Sequence, residues 1–367
     1  MTAIDNDVIV VGAGAAGLRA TTDLHHAGCD VVCLEARDRV GGRLLSIPTP
    51  EGVLDLGATW FWDGEHRVAD LAAGSDAAPF PQDLHGDTLV HESRGVRRLR
   101  GNLIDQPAWR FGHGAAHLTT TMADALPTAL LRTDSPVRAV RSTGDAIVVE
   151  SGDTTLRARH VVIAVPPALA LSHIDFGDAL PDALVRLARA TPVWMGAITK
   201  VVAVYERPFW RAEGLAGAAL SRVGPLQEIH DMTGPDDLPA ALFGFSPPQH
   251  SGASQLRAKV TDQLRTLFGT QAAAPVRLVV HDWRHERWTS PPGVETLLDH
   301  TLFGHPAYRR PALDGRLFWA STETAAAFAG HIEGALAAGE AAAAAVLASR
   351  TPAPQHTTAT TLTDRAR

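Results

Sequence analysis

Three glycines and an acidic residue near the start of the chain have the types and spacing of a nucleotide-binding turn. Gly12, Gly14 and Gly17 follow the apolar run 7–11, and Glu35 ends a second apolar run eighteen residues beyond Gly17. Gly12 allows a tight turn, Gly14 lets the backbone approach a pyrophosphate, and Gly17 lets the following helix pack closely on a sheet. An acid at about this spacing binds a ribose 2′-hydroxyl. The pattern predicts a βαβ unit that binds a dinucleotide, although three glycines alone would also suit ordinary turns.

A basic, glycine-containing segment follows the acid directly. Residues 35–43 read Glu-Ala-Arg-Asp-Arg-Val-Gly-Gly-Arg, which resembles the E-x-x-x-R-x-G-G-R signature of the flavin-containing amine oxidase superfamily, including monoamine and polyamine oxidases. The resemblance implies FAD rather than NAD, with Gly42 near the flavin side of the cofactor and Arg43 near the phosphates. A guanidinium suits phosphate oxygens because it is a permanent cation with a fork of donors. A solvated basic turn is the alternative interpretation.

A second N-terminal segment resembles the same family. Residues 54–62 read Leu-Asp-Leu-Gly-Ala-Thr-Trp-Phe-Trp, similar to the family's D-x-G-A-x-W segment, which implies a path beside the flavin ring. Gly57 and Ala58 are small where a close backbone approach would require it. Trp60 and Trp62 are interpreted either as core aromatics or as substrate contacts.

Lys200 lies in the strand-like run 196–202, and Pro-Phe-Trp-Arg follows at 208–211. The arrangement resembles the family's strand in which a lysine holds a water beside flavin N5. A lysine buried in such a strand would need a polar partner to offset its desolvation. The alternative is a lysine on the solvent-facing side of the strand.

A third motif lies near the C-terminus. Residues 315–324 and 328–335 resemble the family's R-[LIV]-[FY]-[FW]-A-[GS]-[TE]-E-T…G-Y-x-E-G-A ending, which places Glu323 and Ile332 at the cofactor. Backbone amides at the start of the following alanine-rich helix would then serve the O2 carbonyl and ribityl side of the flavin, where negative charge develops on reduction.

His331 stands where the family commonly has a tyrosine, one wall of an aromatic cage that orients an amine against the flavin. The other wall aligns near Gly293, so both walls differ from the family pattern. An imidazole can stack on a substrate, and it can accept or donate a proton near neutral pH. A residue that only packs against the flavin is the alternative. The segment 64–115 is shorter than the long helical lobe that the family usually has at this place. The resemblance therefore does not identify the substrate.

Asp282 and Trp283 begin a further family-like segment, which in monoamine oxidases continues to an aromatic residue and to a cysteine bonded to the flavin. Residues 284–293 contain no cysteine, so FAD is expected to bind noncovalently, and the nearest aromatic residue is Trp288. A contact between the Val137 backbone and the adenine end of FAD is implied by the resemblance alone. Catalytic roles are predicted for Lys200 and His331, no metal site is predicted, and the predicted cofactor contacts are Gly12, Gly14, Ala16, Gly17, Glu35, Ala36, Arg37, Gly42, Arg43, Gly57, Ala58, Thr59, Trp60, Val137, Trp283, Ser321, Glu323, Gly330, Ile332 and Ala335.

The elements that position these residues predict an α/β protein of two domains. We expect a Rossmann-like FAD-binding domain with a C-terminal return (1–66, 114–190 and 284–350). A second α+β substrate domain on an antiparallel sheet would comprise 67–113 and 191–283, and 351–367 would form a disordered tail. The predicted elements are helices at 65–73, 114–131 and 254–268, an alanine-rich helix that opens at 328–335 and runs to about 349, a hairpin of 137–141 with 146–150, and strands at 159–165, 197–205, 216–222, 227–231, 240–245 and 276–281.

Composition limits the classes of partner. The 367 residues are 45% hydrophobic and 20% charged, as in a soluble globular protein, and the net charge of −7 gives no basic surface for nucleic acid. No apolar run of about 20 residues and no signal peptide are evident, so we expect no membrane partner and a cytoplasmic location. Cys29 and Cys33 are too far apart along one strand for a disulfide and too few for a metal site, so buried thiols are expected. Whether the chain forms a homodimer stays open.

The resemblance implies an FAD-dependent oxidoreductase that transfers a hydride from a carbon next to nitrogen to flavin N5, with reoxidation by O2 to hydrogen peroxide. The flavin would supply the redox chemistry and the protein would position it. Two alternatives remain at this point: a flavin-dependent desaturase or C–C or C–O oxidising enzyme, and a noncatalytic flavin-binding protein.

Overall fold

The structure, a computed structural model, describes residues 4–248 and 253–350. The predicted disordered tail, 351–367, lies outside the described residues. Within the described ranges the strands are β1 (Asn6–Val11), β2 (Val31–Leu34), β3 (Ser46–Thr49), β4 (Gly52–Asp55), β5 (Pro79–Pro81), β6 (Asp87–Glu92), β7 (Gly95–Leu99), β8 (Trp109–Phe111), β9 (Leu131–Arg132), β10 (Val137–Ser142), β11 (Ile147–Ser151), β12 (Thr154–Ile163), β13 (Thr199–Tyr205), β14 (Leu215–Ser221), β15 (Glu228–Asp231), β16 (Ala240–Ser246), β17 (Arg277–Asp282) and β18 (Leu317–Trp319). The α-helices are α1 (Ala15–His26), α2 (His66–Gly74), α3 (Ala116–Asp124), α4 (Pro167–His173), α5 (Asp182–Ala190), α6 (Phe209–Ala212), α7 (Ala253–Phe268) and α8 (Ile332–Arg350).

The first large sheet is built around β1. Its strand order is β10-β11-β12-β1-β2-β9, and β18 also pairs with β12. β1 runs parallel to β2 and β12, and the apolar residues of β1 are buried because helices cover both faces. Val8 and Val10 pack with Leu18 of α1 and Leu336 of α8. On the opposite face Ile9 packs with residues of α4 and α5. The predicted Rossmann-like unit and its C-terminal return are confirmed.

The second large sheet has the order β17-β13-β16-β15-β14-β6-β7. Its neighbours are antiparallel, except that β14 and β6 are parallel. The side chains of β13 alternate between two faces, as in any strand. Val201 and Ala203 pack toward α7, whereas Val202 and Val204 pack toward Leu54 of β4. Lys200 shares the second face, which is turned toward the first sheet.

Three sequence predictions need correction. The helix expected at 114–131 ends at Asp124 because Pro127 lacks an amide hydrogen and disfavours helical geometry in the residue before it. A 3₁₀ turn and β9 follow instead. The strand expected at 159–165 is longer and begins at Thr154. Residues 64–115 contain, beyond the expected short helix, the four strands β5 to β8, two of which extend the second sheet.

The alanine-rich helix α8 runs from Ile332 to Arg350, and its length and composition contradict the expectation that no apolar run is long enough to span a membrane. Among the described helices it is the one whose length and composition would allow it to cross a membrane, with half of its apolar window buried inside the protein. A core helix meets the same criteria. Here Gly339 lies so close to α1 that an added Cβ would be 2.2 Å from the carbonyl oxygen of Ala16, so α8 packs tightly along α1.

Candidate functional site

A cavity of about 540 Å³ lies between the two large sheets. Residues that directly follow three parallel strands line it: Gly12 after β1, Glu35 after β2 and Ala164 after β12. Ligands of open parallel sheets bind at this carboxyl edge of the strands. Lys200 and Phe245 of the second sheet line the other side. The two sheets therefore enclose one continuous site.

The glycine turn has separate parts for a ligand and for packing. Gly14 lines the cavity, and an added Cβ there would meet no protein atom nearer than 4.0 Å, so the space beside it is open. α1 begins at Ala15 with no side-chain cap and no acidic residue in its first turn, which leaves its amides for an anion. At Gly17 an added Cβ would lie 1.8 Å from the carbonyl oxygen of Gly12. Gly17 therefore serves the contact between helix and strand, as predicted, and does not line the cavity.

Glu35 is held in place by backbone amides. Its carboxylate accepts hydrogen bonds from the amides of Ala13 at 2.7 Å and Arg37 at 2.9 Å, and it lines the cavity. The Arg37 guanidinium donates to the Glu286 carboxylate and to the Thr289 hydroxyl. Arg37 therefore attaches the 286–289 segment to the cavity wall, in addition to lining the cavity itself.

Arg43 forms a bidentate ion pair with Glu323, at 2.6 and 3.1 Å. Glu323 is fully buried, and its carboxylate also accepts the amide of Trp194. The structure thus places Glu323 behind Arg43 rather than on the cavity surface, where a direct cofactor contact was expected. Arg43 itself lines the cavity. Glu323 holds the guanidinium that would face the phosphates.

Lys200 is 2% exposed, so the solvent-facing alternative is wrong. Its ammonium nitrogen donates to the Gly57 carbonyl at 3.0 Å and to the Thr59 hydroxyl at 2.5 Å, and it lies 4.3 Å from the centre of the Phe243 ring. These contacts supply the polar partners that a buried lysine needs. The nitrogen reaches the cavity where the 57–60 segment passes it.

The electrostatic environment of Lys200 favours its neutral form more than water does. The pKa of the Lys200 ammonium is lowered from 10.5 to about 7, mainly by burial; the Asp55 carboxylate raises it and Arg110 adds to the decrease. Burial also raises the pKa of Asp55, against the hydrogen bond from the Ser46 hydroxyl. Both protonation states of Lys200 are therefore accessible near neutral pH.

Aromatic side chains form a wall of the cavity. Trp62 and His331 pack with ring centres 5.0 Å apart, and Trp60 lies 6.2 Å from Trp62. Trp60 and Trp62 both line the cavity, and Trp60 also packs on Phe243 of the core. Trp60 therefore belongs to the core and also lines the cavity, and a substrate contact by either tryptophan stays a prediction.

Two residues of the 284–293 segment differ in position, because Trp288 lines the cavity and Gly293 does not. Gly293 lines a separate, smaller cavity with His173 and Arg284, so it does not form the second wall of a cage. Trp288 lies against His173, with ring centres 5.1 Å apart, and near Arg37, which bonds its carbonyl oxygen. Trp283 is buried and donates its indole N–H to the Leu56 carbonyl at 3.0 Å.

The sequence did not single out several residues that the fold brings to the cavity. They include Trp194, Gln227, Glu228 and Phe245. Glu65 carries no motif, yet its carboxylate binds His331. Strand alternation offered a signal for Glu228, because an acid in a β-rich run must face either solvent or a polar site.

The predicted site residues converge to a large extent. Among the described residues no cluster of three or more histidine, cysteine, aspartate or glutamate side chains could hold a metal ion, and Cys29 and Cys33 are free, buried thiols. The open glycine cradle, the uncapped start of α1 and the Glu35 carboxylate fit the diphosphate and ribose of FAD. Besides Lys200 and His331, the predicted residues that line the cavity are Gly12, Gly14, Ala16, Glu35, Ala36, Arg37, Gly42, Arg43, Gly57, Ala58, Thr59, Trp60, Val137, Trp283, Ser321, Gly330, Ile332 and Ala335.

Comparison with known proteins identifies the class. Residues 82–347 match the family described as flavin containing amine oxidoreductase, and residues 10–74 match the NAD(P)-binding Rossmann-like domain. The chain therefore belongs to the flavin-containing amine oxidoreductase family. It is an FAD-dependent enzyme of amine oxidation, and the findings give no better support to the desaturase alternative.

Individual relatives agree with this assignment. Putrescine oxidase of Kocuria rosea is 27% identical, with 94% of this chain and 96% of the relative covered, and amine oxidase [flavin-containing] B of Mus musculus is 25% identical, covering 93% and 86%. The first alignment runs over 462 residues, more than this chain contains, so the relative has extra residues within the shared region.

Solved structures share the fold. Cyclohexylamine oxidase from Brevibacterium oxydans IH-35A matches with a TM-score of 0.82 and 25% identity over 94% of this chain and 99% of that chain. Putrescine oxidase bound to putrescine matches with a TM-score of 0.81 and 23% identity over the same shares. Both cover nearly the whole of the described chain.

Proposed function

We propose that the chain oxidises aliphatic amines at the carbon next to nitrogen, with O2 as the electron acceptor and hydrogen peroxide as a product. FAD, when bound, supplies the redox chemistry by accepting a hydride from that carbon and passing the electrons on, and the imine product hydrolyses in water. The observation that carries the proposal is the buried Lys200, held by Gly57 and Thr59 in the same cavity as the FAD-fitting residues.

Lys200 is proposed to hold a water molecule at the reacting end of the cavity. Its nitrogen makes two hydrogen bonds to protein, at Gly57 and Thr59, while an ammonium group has three donors. The remaining position is free for a water. Because the pKa of Lys200 is lowered to about 7 by burial, the group can donate to that water or accept from it near neutral pH.

The acid Glu228 indicates that diamines are among the substrates. Glu228 and Lys200 both lie opposite Phe245 in the strand register, so the three side chains share one face across β15, β16 and β13. Two strand spacings separate Glu228 from Lys200, about 10 Å between Cα atoms. All three residues line the cavity. A carboxylate at this distance suits a second ammonium group on the substrate.

A buried pair of His230 and Asp105 favours the negative charge of Glu228, whose own side chain is 54% exposed. His230 lies 3.7 Å from the Glu228 carboxylate and 2.6 Å from Asp105 on its other side. Burial opposes the imidazolium form, but the Asp105 and Glu228 carboxylates outweigh it and raise the pKa of His230. The His230 side chain in turn lowers the pKa of Glu228. Glu228 is therefore ionised at neutral pH, and the name of the putrescine oxidase relative agrees with a diamine substrate.

Product analysis tests the proposal. Purified holoprotein in air-saturated buffer would be given 1,4-diaminobutane, butylamine and cyclohexylamine, and hydrogen peroxide and ammonia would be measured together. We expect equal amounts of the two products with at least one amine and the highest kcat/KM with the diamine. No peroxide and no ammonia from any amine would contradict amine oxidation with O2 as acceptor.

A further inference from the structure

His331 is paired with a buried carboxylate that no sequence motif marks. Its Nδ1 atom hydrogen-bonds to Oε1 of Glu65, whose side chain is 2% exposed. The other Glu65 oxygen accepts the amide of Trp62 at 3.0 Å. The Trp62 ring packs on the His331 ring, so the imidazole is fixed on one edge and on one face. Among the described residues Nε2 of His331 has no hydrogen-bond partner, and the side chain is 35% exposed toward the cavity.

We propose that Glu65 and His331 form a proton-accepting pair for the substrate amine, an inference that rests on the proposed function. An ionised carboxylate only accepts hydrogen bonds, so Glu65 keeps the hydrogen on Nδ1 and leaves Nε2 of His331 as the acceptor. Glu65 is thus a positioning residue, and His331 contacts the substrate. The same division of roles orients catalytic histidines in other enzymes.

The step is a simple proton transfer. An N–H bond of the substrate ammonium breaks, a bond between that hydrogen and Nε2 of His331 forms, and the electron pair stays on the amine nitrogen. The pair changes from a net charge of −1 to zero, so no unpaired charge is created in the cavity wall. The amine must lose this proton before oxidation because its lone pair assists hydride loss from the adjacent carbon.

The other charged groups near the pair already form hydrogen bonds or ion pairs with other partners. Glu333 of α8 accepts from the Arg67 guanidinium and from the amide of Val68. Glu323 is bound to Arg43, and Lys200 on the opposite sheet is held by neutral partners. Glu65, at the start of α2, is therefore the carboxylate that acts on His331 directly.

Anaerobic flavin reduction across pH 6 to 10 tests the proposal, with butylamine and 1,4-diaminobutane as substrates. His331→Tyr keeps an aromatic ring, and Glu65→Gln keeps the size of the side chain. We expect both variants to reduce the flavin about 100-fold more slowly than wild type at pH 7. The deficit should shrink at least tenfold by pH 10, where more of the substrate is already neutral. An equal deficit at every pH would show a purely structural role and overturn the proposal.

Glu333→Gln is the matched control, because Glu333 is an equally buried carboxylate at the same contact between α2 and α8. Glu333→Gln should change the stability of the protein without changing how the rate of flavin reduction depends on pH. If wild type reduces its flavin with neither amine at any pH, the proposed function fails together with the acceptor role. If reduction occurs but the variants lose rate uniformly, only the pair is overturned.

Nitrogen NMR of ¹⁵N-histidine-labelled protein gives a readout that does not depend on turnover. The His331 signals are assigned by their loss in His331→Tyr. At pH 8 we expect hydrogen on Nδ1 in wild type, and a shift of hydrogen to Nε2 in Glu65→Gln, because the glutamine amide can donate to Nδ1. An unchanged tautomer in Glu65→Gln would contradict the positioning role of Glu65.

Discussion

Arg43 and Glu323 are 280 residues apart in the sequence and form a bidentate ion pair beneath the cavity. The pair joins the turn that carries Gly42 to the turn that precedes α8. Trp194 bonds both partners through its backbone carbonyl and amide, which adds a third segment. The two strongest motifs of the sequence are therefore connected directly by an ion pair.

Removing the negative charge from this pair should destabilise the folded protein. In Glu323→Gln the fully buried site retains the guanidinium without its carboxylate, and we expect a loss of about 3 kcal/mol in the free energy of unfolding. Glu92→Gln is the control, because Glu92 meets Arg97 at 3.4 Å on the surface and should lose less than about 1 kcal/mol. Urea denaturation of both variants checks this, and equal losses would contradict a structural role for Glu323.

The glycine turn predicts opposite outcomes for two neighbouring substitutions. Gly14→Ala should leave the apoprotein's stability within about 0.5 kcal/mol, since its φ of −75° suits alanine and the nearest protein atom is 4.0 Å away. The added methyl would occupy the cofactor's space, so the Kd for FAD should rise about tenfold or more. Gly17→Ala should instead destabilise the apoprotein by about 3 kcal/mol or more, because its Cβ would overlap the Gly12 carbonyl. Thermal unfolding and FAD fluorescence quenching measure the two effects, and tight FAD binding by Gly14→Ala would argue against the cradle.

Burial of Lys200 should make stability depend on pH. Its pKa falls from 10.5 to about 7 on folding because of burial, so between these values the unfolded chain binds the extra proton and stability rises with pH. The cost of burial is full below pH 7 and disappears above about pH 10.5. Lys200→Met should therefore raise the free energy of unfolding relative to wild type, and this increase should be about 2–3 kcal/mol larger at pH 6 than at pH 9.

The chain offers a matched control for this prediction, because Lys259 is its other lysine and is exposed on α7. Lys259→Met should show no such difference between the two pH values. Denaturation of the apoproteins at pH 6 and pH 9 measures it. A gain for Lys200→Met that is independent of pH would mean that the lysine stays protonated in the folded protein.

Glu228 should determine the preference for a second cation. In Glu228→Gln we expect kcat/KM for 1,4-diaminobutane to fall about 10- to 100-fold, the usual range for losing a charged hydrogen-bond partner, and kcat/KM for butylamine to change less than about threefold. Glu206→Gln, an exposed acid just after β13, serves as the control. Equal losses for the diamine and the monoamine would exclude a second-cation site at Glu228.

The sequence predicted the parts of the site that repeat a local pattern. The glycine turn follows from a short motif whose physical requirements are local, whereas the expectation of a buried Lys200 rested on the resemblance to the family. The sequence could not predict that Glu323 holds Arg43, or that Glu65 binds His331, because each pair is brought together by the packing of distant segments. Long-range carboxylate partners leave no periodic signal.

The strands β6 and β7 show a second limit of prediction from the sequence. Their sequences are polar, and β7 exposes most of its side chains at the edge of the sheet. Edge strands carry charged residues that protect them from pairing with other chains, which removes the apolar alternation on which strand prediction depends. The helix at 114–131 was predicted too long because the apolar pattern continues past Pro127, whereas the helical backbone ends before this proline.

Anaerobic stopped-flow mixing of the FAD-loaded wild-type protein and Lys200→Met with 1,4-diaminobutane tests both amine oxidation and the role of Lys200. We expect the oxidised flavin absorbance of wild type to bleach at a rate that saturates with amine concentration, and Lys200→Met to bleach at least about tenfold more slowly at saturation. A wild-type flavin that stays oxidised at every concentration of amine would contradict amine oxidation, and equal rates in the two proteins would contradict the role of Lys200.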